Sequence, residues 1–299
     1  MYQNDYKPEK EYEIISLLGQ GTYGKVYKVI DEKNEFAMKI VSFDKDETFE
    51  FLMNEIDTIN QLIKMFPECN NYLLCYNKVI IDEKNKKAFL FSEIMSGEFK
   101  LLYDRNDLNQ KINYLLNMTI SVIKALEVLH AVNIIHRDIK PQNILFNKED
   151  NMKIKLADFG LSCFKSKCKG FSGARLFRDF KQYVDIIKHG AHEFNENDDF
   201  YALGVSIYDL LTSKMLFDSK EYKIIQTLYE NDQAKELIEF YDFIYQRAVN
   251  TLDNFMIQNK LESNQKIQVL SKLIKAFISP NRTKIFNHKK LLNVLESAK

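Results

Sequence analysis

His136-Arg-Asp-Ile-Lys-Pro-Gln-Asn143 is the stretch on which the reading of this chain turns. It follows residues 111–130, where apolar side chains recur at helical spacing, and it places Asp138, Lys140 and Asn143 in one short loop. A carboxylate, an amine and an amide held this close suit three tasks: positioning a hydroxyl, neutralising phosphate charge and ligating Mg2+. Mg2+ takes oxygen ligands, often one or two carboxylates together with phosphate oxygens. A second carboxylate, in Asp158-Phe-Gly160, follows a strand candidate at Lys153–Leu156. Either tripeptide is common by chance; the full string is not.

Working outward toward the N-terminus, residues 11–43 alternate in apolar character and are rich in β-branched and aromatic residues, a strand signature. Ala37, Lys39 and Val41 share one face of a strand, and Phe36, Met38 and Ile40 the other. A lysine on an inward face is costly unless paired. The period then changes: Phe49, Leu52, Ile56, Ile59, Ile63 and Phe66 define an amphipathic helix. Glu55 sits in that stripe, which makes it the candidate partner of Lys39; the alternative is a surface lysine on a two-faced strand. Gly19-Gln20-Gly21-Thr22-Tyr23-Gly24 fits G-x-G-x-x-G, in which backbone N–H groups can approach phosphate oxygens. A dinucleotide-binding turn would open a helix. Here Lys25-Val-Tyr-Lys-Val-Ile continues as a strand, so the choice is between a phosphate-covering hairpin and a plain Gly-rich turn. Two more strands are expected at Leu73–Ile81 and Ala88–Ile94.

After Ser96-Gly97 the pattern is mostly helical. Residues 199–212 are apolar almost all round, which predicts a helix buried on every side. The expected fold class is therefore α+β and bilobal: an antiparallel β lobe with one helix over 1–95 and a larger, mainly helical lobe over 96–299.

Lys+Arg and Asp+Glu both number 42, so no basic excess points to nucleic acid. No apolar run reaches the roughly 18 residues of a membrane span, and the charged start MYQNDYKPEKEYEI lacks the apolar core of a signal peptide. Cys69, Cys75, Cys163 and Cys168 show no C-x-x-C spacing and are expected to be free thiols in a reducing compartment. The expected location is cytoplasmic or nuclear, or a host cytosol if the protein is delivered there.

Taken in order, these residues resemble the eukaryotic protein-kinase signature set. Asp199-Phe-Tyr-Ala-Leu-Gly204 resembles the start of the family's central helix, and Pro280-Asn-Arg282 its late arginine motif, so the resemblance covers about residues 12–297. It implies transfer of the γ-phosphate of Mg-ATP to a protein hydroxyl. Residues 19–24 would cover the phosphates, and Lys39 would hold two of them while paired with Glu55. Asp138 would orient or deprotonate the hydroxyl, Lys140 would steady the γ-phosphate, and Asn143 and Asp158 would bind Mg2+. Val26, Ala37 and Leu145 would sandwich the adenine, with Glu93 to Met95 as hinge. Ser92 would be an unusually small gatekeeper beside an open back pocket. Lys140, two residues after Asp138, resembles Ser/Thr-directed members. The other readings are a scaffold that keeps the fold without turnover, and a small-molecule or lipid kinase.

The sequence departs from the family pattern G-T-x-x-Y-x-A-P-E. With Gly173 aligned, Ala174 replaces Thr, Phe177 replaces Tyr, and no Ala-Pro-Glu follows. Arg282 then needs another carboxylate, for which Glu193 and Asp185 are the candidates. Residues 177–190 are a candidate extra helix. Arg137 implies a loop phosphate on Ser162, Ser166 or Ser172; a solvated basic loop is the alternative.

Overall fold

The computed structural model describes residues 12–21, 24–32, 34–43, 46–67, 71–104 and 106–299. Five strands form the N-terminal sheet: β1 Glu13–Gly21, β2 Gly24–Ile30, β3 Glu35–Ser42, β4 Lys78–Asp82 and β5 Lys87–Ser92. Their order is β1-β2-β3-β5-β4, and every pairing is antiparallel. Alternation assigns the two faces. Val29, Met38, Ile80, Phe89 and Phe91 pack on one side with Tyr12. Val41, Ile81, Ala88 and Leu90 pack on the other, against Leu52 and Ile56 of helix α1, Asp46–Met65. Burying each such side chain contributes about 1.5–3 kcal/mol, which fixes the helix on the face that carries Lys39.

The strand expected from Leu73 begins five residues later, at Lys78. The backbone of the intervening segment bonds elsewhere: Leu74 N donates to Leu156 O at 2.8 Å, and Leu156 N donates to Tyr72 O at 2.9 Å. This segment is therefore sewn to the larger part of the molecule.

That larger part opens with β6 Gly97–Glu98 and α2 Phe99–Asp104. Helix α3, Leu108–Ala131, is capped by Asp107, whose side chain accepts from Gln110 N. By length and composition alone α3 is apolar enough to cross a membrane. Its apolar residues, Ile112 to Leu129, go to the core instead, among the helices at Glu196–Thr212, Gln265–Phe277 and His288–Glu296. Short strands β7 Ile134–Ile135, β8 Ile144–Asn147, β9 Lys153–Leu156 and β10 Cys163–Phe164 follow; β6-β8-β9 form one small sheet and β10-β7 another. The remaining helices are α4 Lys181–His189, α5 Glu196–Thr212, α6 Ser219–Glu230, α7 Ala234–Gln258, α8 Gln265–Phe277 and α9 His288–Glu296. Helix α5 starts in a capping box between Asn195 and Asp198 and is buried nearly all round. It is the post on which the loop after α3 is hung.

Candidate active site

Lys39 stands mid-strand on β3, opposite Val26 and Leu90. Its Nζ lies 3.0 and 3.2 Å from the two carboxylate oxygens of Glu55. Burial alone would pull the lysine pKa down. The Glu55 carboxylate, with smaller help from Tyr76 and Asp158, outweighs it and holds the ammonium well above the ordinary amine range. The cation therefore stays charged on the wall of the cleft and has charge to offer a phosphate.

The loop 136–143 is shaped from beneath. Asp199, fully buried on α5, accepts the backbone N–H of His136 at 2.9 Å and of Arg137 at 2.8 Å, and pairs with His130 at 2.9 Å. Burial pushes its pKa up, but these donors, led by His130, hold it below the usual carboxylate range. The same contacts secure Arg137 at φ 66°, a conformation that costs a non-glycine residue on the order of 1–3 kcal/mol. Asp158 also has a positive φ, 70°. His136 is buried edge-on to Phe159, with 5.3 Å between ring centroids, and burial lowers its pKa.

On this frame the Asp138 carboxylate accepts three hydrogen bonds, which leaves it room for one more donor. Oδ2 accepts from Lys140 Nζ at 2.6 Å and from Asn143 Nδ2 at 2.9 Å; Oδ1 accepts from Ala174 N at 3.0 Å. Asn143 also donates to Asp138 O at 2.8 Å, so its amide hydrogens are committed and its oxygen is what it offers a ligand. Among the described residues no group of three or more His, Cys, Asp or Glu side chains could hold a metal. A cation bound by Asn143 and Asp158 with the balance from phosphate oxygens fits that donor set.

One cleft of about 290 Å³ is lined by Gly19, Gln20, Val26, Ala37, Lys39, Glu55, Ser92, Glu93, Met95, Asn143, Leu145 and Asp158. An adjoining cavity of about 250 Å³ brings Asp138 and Lys140 to Lys39, Glu55 and Asp158. The lining passes Ser92 and continues to Leu74 and Tyr76. Glu93 is also tied to Lys155, a buried lysine on β9. Thr22 and Tyr23 lie outside the described residues, and for Gly21 only its strand position is described. Gly24 has a reason other than phosphate: a Cβ there would sit 2.1 Å from Ile40 O on β3.

The segment after Asp158 differs from the expectations in three ways. Arg282 pairs with Asp179, not with Glu193 or Asp185. Counting from Gly173, the pattern's Glu would fall at position 181, which is lysine; the buried carboxylate arrives two positions earlier, and Lys181 Nζ bonds the main-chain oxygen of Arg282 instead. Asp185 and Asp198 are taken by His192, at 2.7 and 2.8 Å, while Glu193 is exposed beside Lys169. The candidate extra helix is shorter than expected and is α4, stopped by Gly190 in the left-handed conformation.

The cysteines are the second difference. Cys163 and Cys168 form a disulfide across a 3₁₀ turn, with 5.7 Å between Cα atoms, so the free-thiol expectation fails for that pair. Cys75 keeps a buried thiol, and Cys69 lies outside the described residues. The third concerns Arg137. Its Nε donates to Leu161 O at 2.6 Å and its guanidinium lies 5.1 Å from the Phe194 ring centroid. Ser162 and Ser172 are buried, leaving Ser166 exposed. Two of the loop lysines are spoken for: Lys165 pairs with Glu196 and Lys169 with Glu193.

Sequence reasoning missed Asp179, Tyr76 and Asn54. Tyr76 donates to Glu55 at 2.6 Å. Asn54 Nδ2 donates to Gly160 O at 3.1 Å and Ser162 O at 2.6 Å, tying α1 to the loop after Asp158. None of these residue types stands out in sequence; only Asn54, next to Glu55, had a signal in its position.

A family model described as a protein kinase domain matches residues 12–292. The serine/threonine-protein kinase dst2 of Dictyostelium discoideum is 29% identical over 68% of this chain, which spans 17% of that protein. The human dual specificity tyrosine-phosphorylation-regulated kinase 4 is 28% identical over 69% of this chain and 39% of its own length. The probable serine/threonine-protein kinase nek1 of D. discoideum is 26% identical over 80% of this chain and 50% of its own length. The chain thus spans half or less of each of these relatives.

Proposed function

The chain belongs to the protein kinase family, and from that premise we propose that it transfers the γ-phosphate of Mg-ATP to Ser or Thr hydroxyls of protein substrates. The observation that carries this reading is the meeting of Lys39, Glu55, Asp138, Asn143 and Asp158 around adjoining cavities. Mg-ATP supplies the phosphoryl group and a cation that offsets its charge. Val26, Ala37 and Leu145 would flank the base, and backbone groups from Glu93 to Met95 would read its edge. The Lys39 ammonium would hold phosphate oxygens, while the Asn143 amide oxygen and the Asp158 carboxylate would hold the cation. Asp138 would receive the substrate hydroxyl, orient it and take up its proton at a carboxylate oxygen. Lys140, 2.6 Å from that carboxylate, would then sit beside the transferring group.

The preference for Ser and Thr rests on Lys140 and on the names of several relatives, some of which are dual-specificity kinases. The scaffold reading is not favoured, because each of the five side chains is retained and in place. The test is incubation with Mg-ATP and three degenerate peptide pools whose sole acceptor is Ser, Thr or Tyr. Labelling of the Ser and Thr pools is expected; labelling confined to the Tyr pool contradicts the assignment.

A further inference from the structure

Tyr76 belongs to none of the sequence motifs, yet it touches the pair that defines the nucleotide site. We propose that Tyr76 is a positioning residue: its hydroxyl holds the Glu55 carboxylate, and through it Lys39, in the arrangement that receives nucleotide phosphates. The inference rests on the kinase reading above.

The Glu55 carboxylate is almost wholly buried, at 4% exposure. A buried carboxylate needs several donors. Lys39 approaches both oxygens at 3.0 and 3.2 Å, and the Tyr76 hydroxyl reaches Oε1 at the shorter distance of 2.6 Å. Burial, reinforced by Glu55 itself, raises the phenol pKa well above its ordinary value, so the hydroxyl remains a donor throughout the physiological range. Tyr76 is itself well anchored. On one side Leu74 N bonds Leu156 O at the end of β9, two residues before Asp158; on the other Asn77 N bonds Phe91 O on β5, at 2.8 Å in each case. The hydroxyl therefore links helix α1 to the strand that delivers Asp158. The short side chain at Ser92 complements it, because the cleft passes residue 92 and reaches the tyrosine.

This role differs from filling space. A residue that only packed would be replaced by phenylalanine without consequence, whereas a donor would not. The comparison is therefore Tyr76→Phe against the wild type, each also made in a Glu55→Ala background. Hydrogen exchange across Asp46–Met65, measured without nucleotide, is expected to rise in Tyr76→Phe. The kcat/KM for ATP is expected to fall about tenfold, because loss of one hydrogen bond to a buried charge lowers the fraction of protein with the pair assembled. KM for the protein substrate is expected to hold, and the melting temperature to fall by only a few degrees. In the Glu55→Ala background, Tyr76→Phe is expected to add nothing further. Unchanged exchange in α1, or an equal loss in the Glu55→Ala background, overturns the proposal. The exchange arm decides the role of Tyr76 whether or not the wild type transfers phosphate, so failure of this inference and failure of the kinase reading are told apart.

Discussion

The nucleotide cleft and the segment from Leu161 to Asp199 meet in the same molecule but follow different rules. In the cleft, Lys39 meets Glu55, Lys140 meets Asp138, and all four line one cavity with Asp158. In the segment, the family's Thr, Tyr and Ala-Pro-Glu are missing and other groups do comparable physical work. A buried guanidinium at Arg282 still needs a carboxylate, and Asp179 provides it from a different register. Ala174 lacks the hydroxyl of the family's Thr and meets Asp138 through its backbone N–H. On the proposed function, chemistry constrains the first region atom by atom, because each group would have to meet a phosphate, a cation or a hydroxyl. Burial constrains the second only by charge and volume, which several sequences satisfy.

The two regions should therefore fail differently. Asp138→Asn should lower transfer by about 10³-fold, within the range for a positioned acid–base group, with a melting temperature close to that of the wild type. Kinetics paired with a thermal melt check this, and a large loss of stability would break the contrast. Asp179→Ala should do the reverse. It leaves the Arg282 charge buried and unpaired, which costs about 3–5 kcal/mol and lowers the melting temperature by roughly 10 °C. Glu193→Ala, on an exposed side chain, should stay within about 0.5 kcal/mol. Equal effects from the two substitutions would show that the arginine's partner has been misassigned.

A further difference concerns pH. His192 lies between Asp185 and Asp198, with Asp179 nearby. Burial lowers its pKa, but the hydrogen bond and charge of Asp198, with Asp185, raise it to about 9. A pKa raised on folding stabilises the native state fully below the unfolded value of 6.5, and that contribution fades as pH rises through about 9. The contribution is at most about 3 kcal/mol. Melting temperature measured from pH 6 to pH 10 should fall more in the wild type than in His192→Gln. Parallel curves would remove the charged histidine from the account.

The same contrast explains what could be read without coordinates. Lys39, Glu55, Asp138, Asn143 and Asp158 were legible because their spacing is tied to the chemistry they share. The strand faces were legible because alternation sorts Met38 from Val41. Asp179 was not, since nothing local marks which of several acids reaches a residue 103 positions away. Tyr76 was hidden for a related reason. Its neighbours read as a strand, but their hydrogen bonds run to Leu156, and that detour aims the hydroxyl at Glu55. The bond between Cys163 and Cys168 depends on a 3₁₀ turn that the basic loop did not announce.

The central claim is that the rebuilt segment leaves a working phosphotransfer site. Initial rates of γ-phosphate transfer from ATP to a protein acceptor, followed with and without Mg2+, test it most directly. The account predicts saturable transfer that stops on chelation of the metal and is lost in Lys39→Met. Tight Mg-ATP binding to the wild type with no transfer to any acceptor would contradict it.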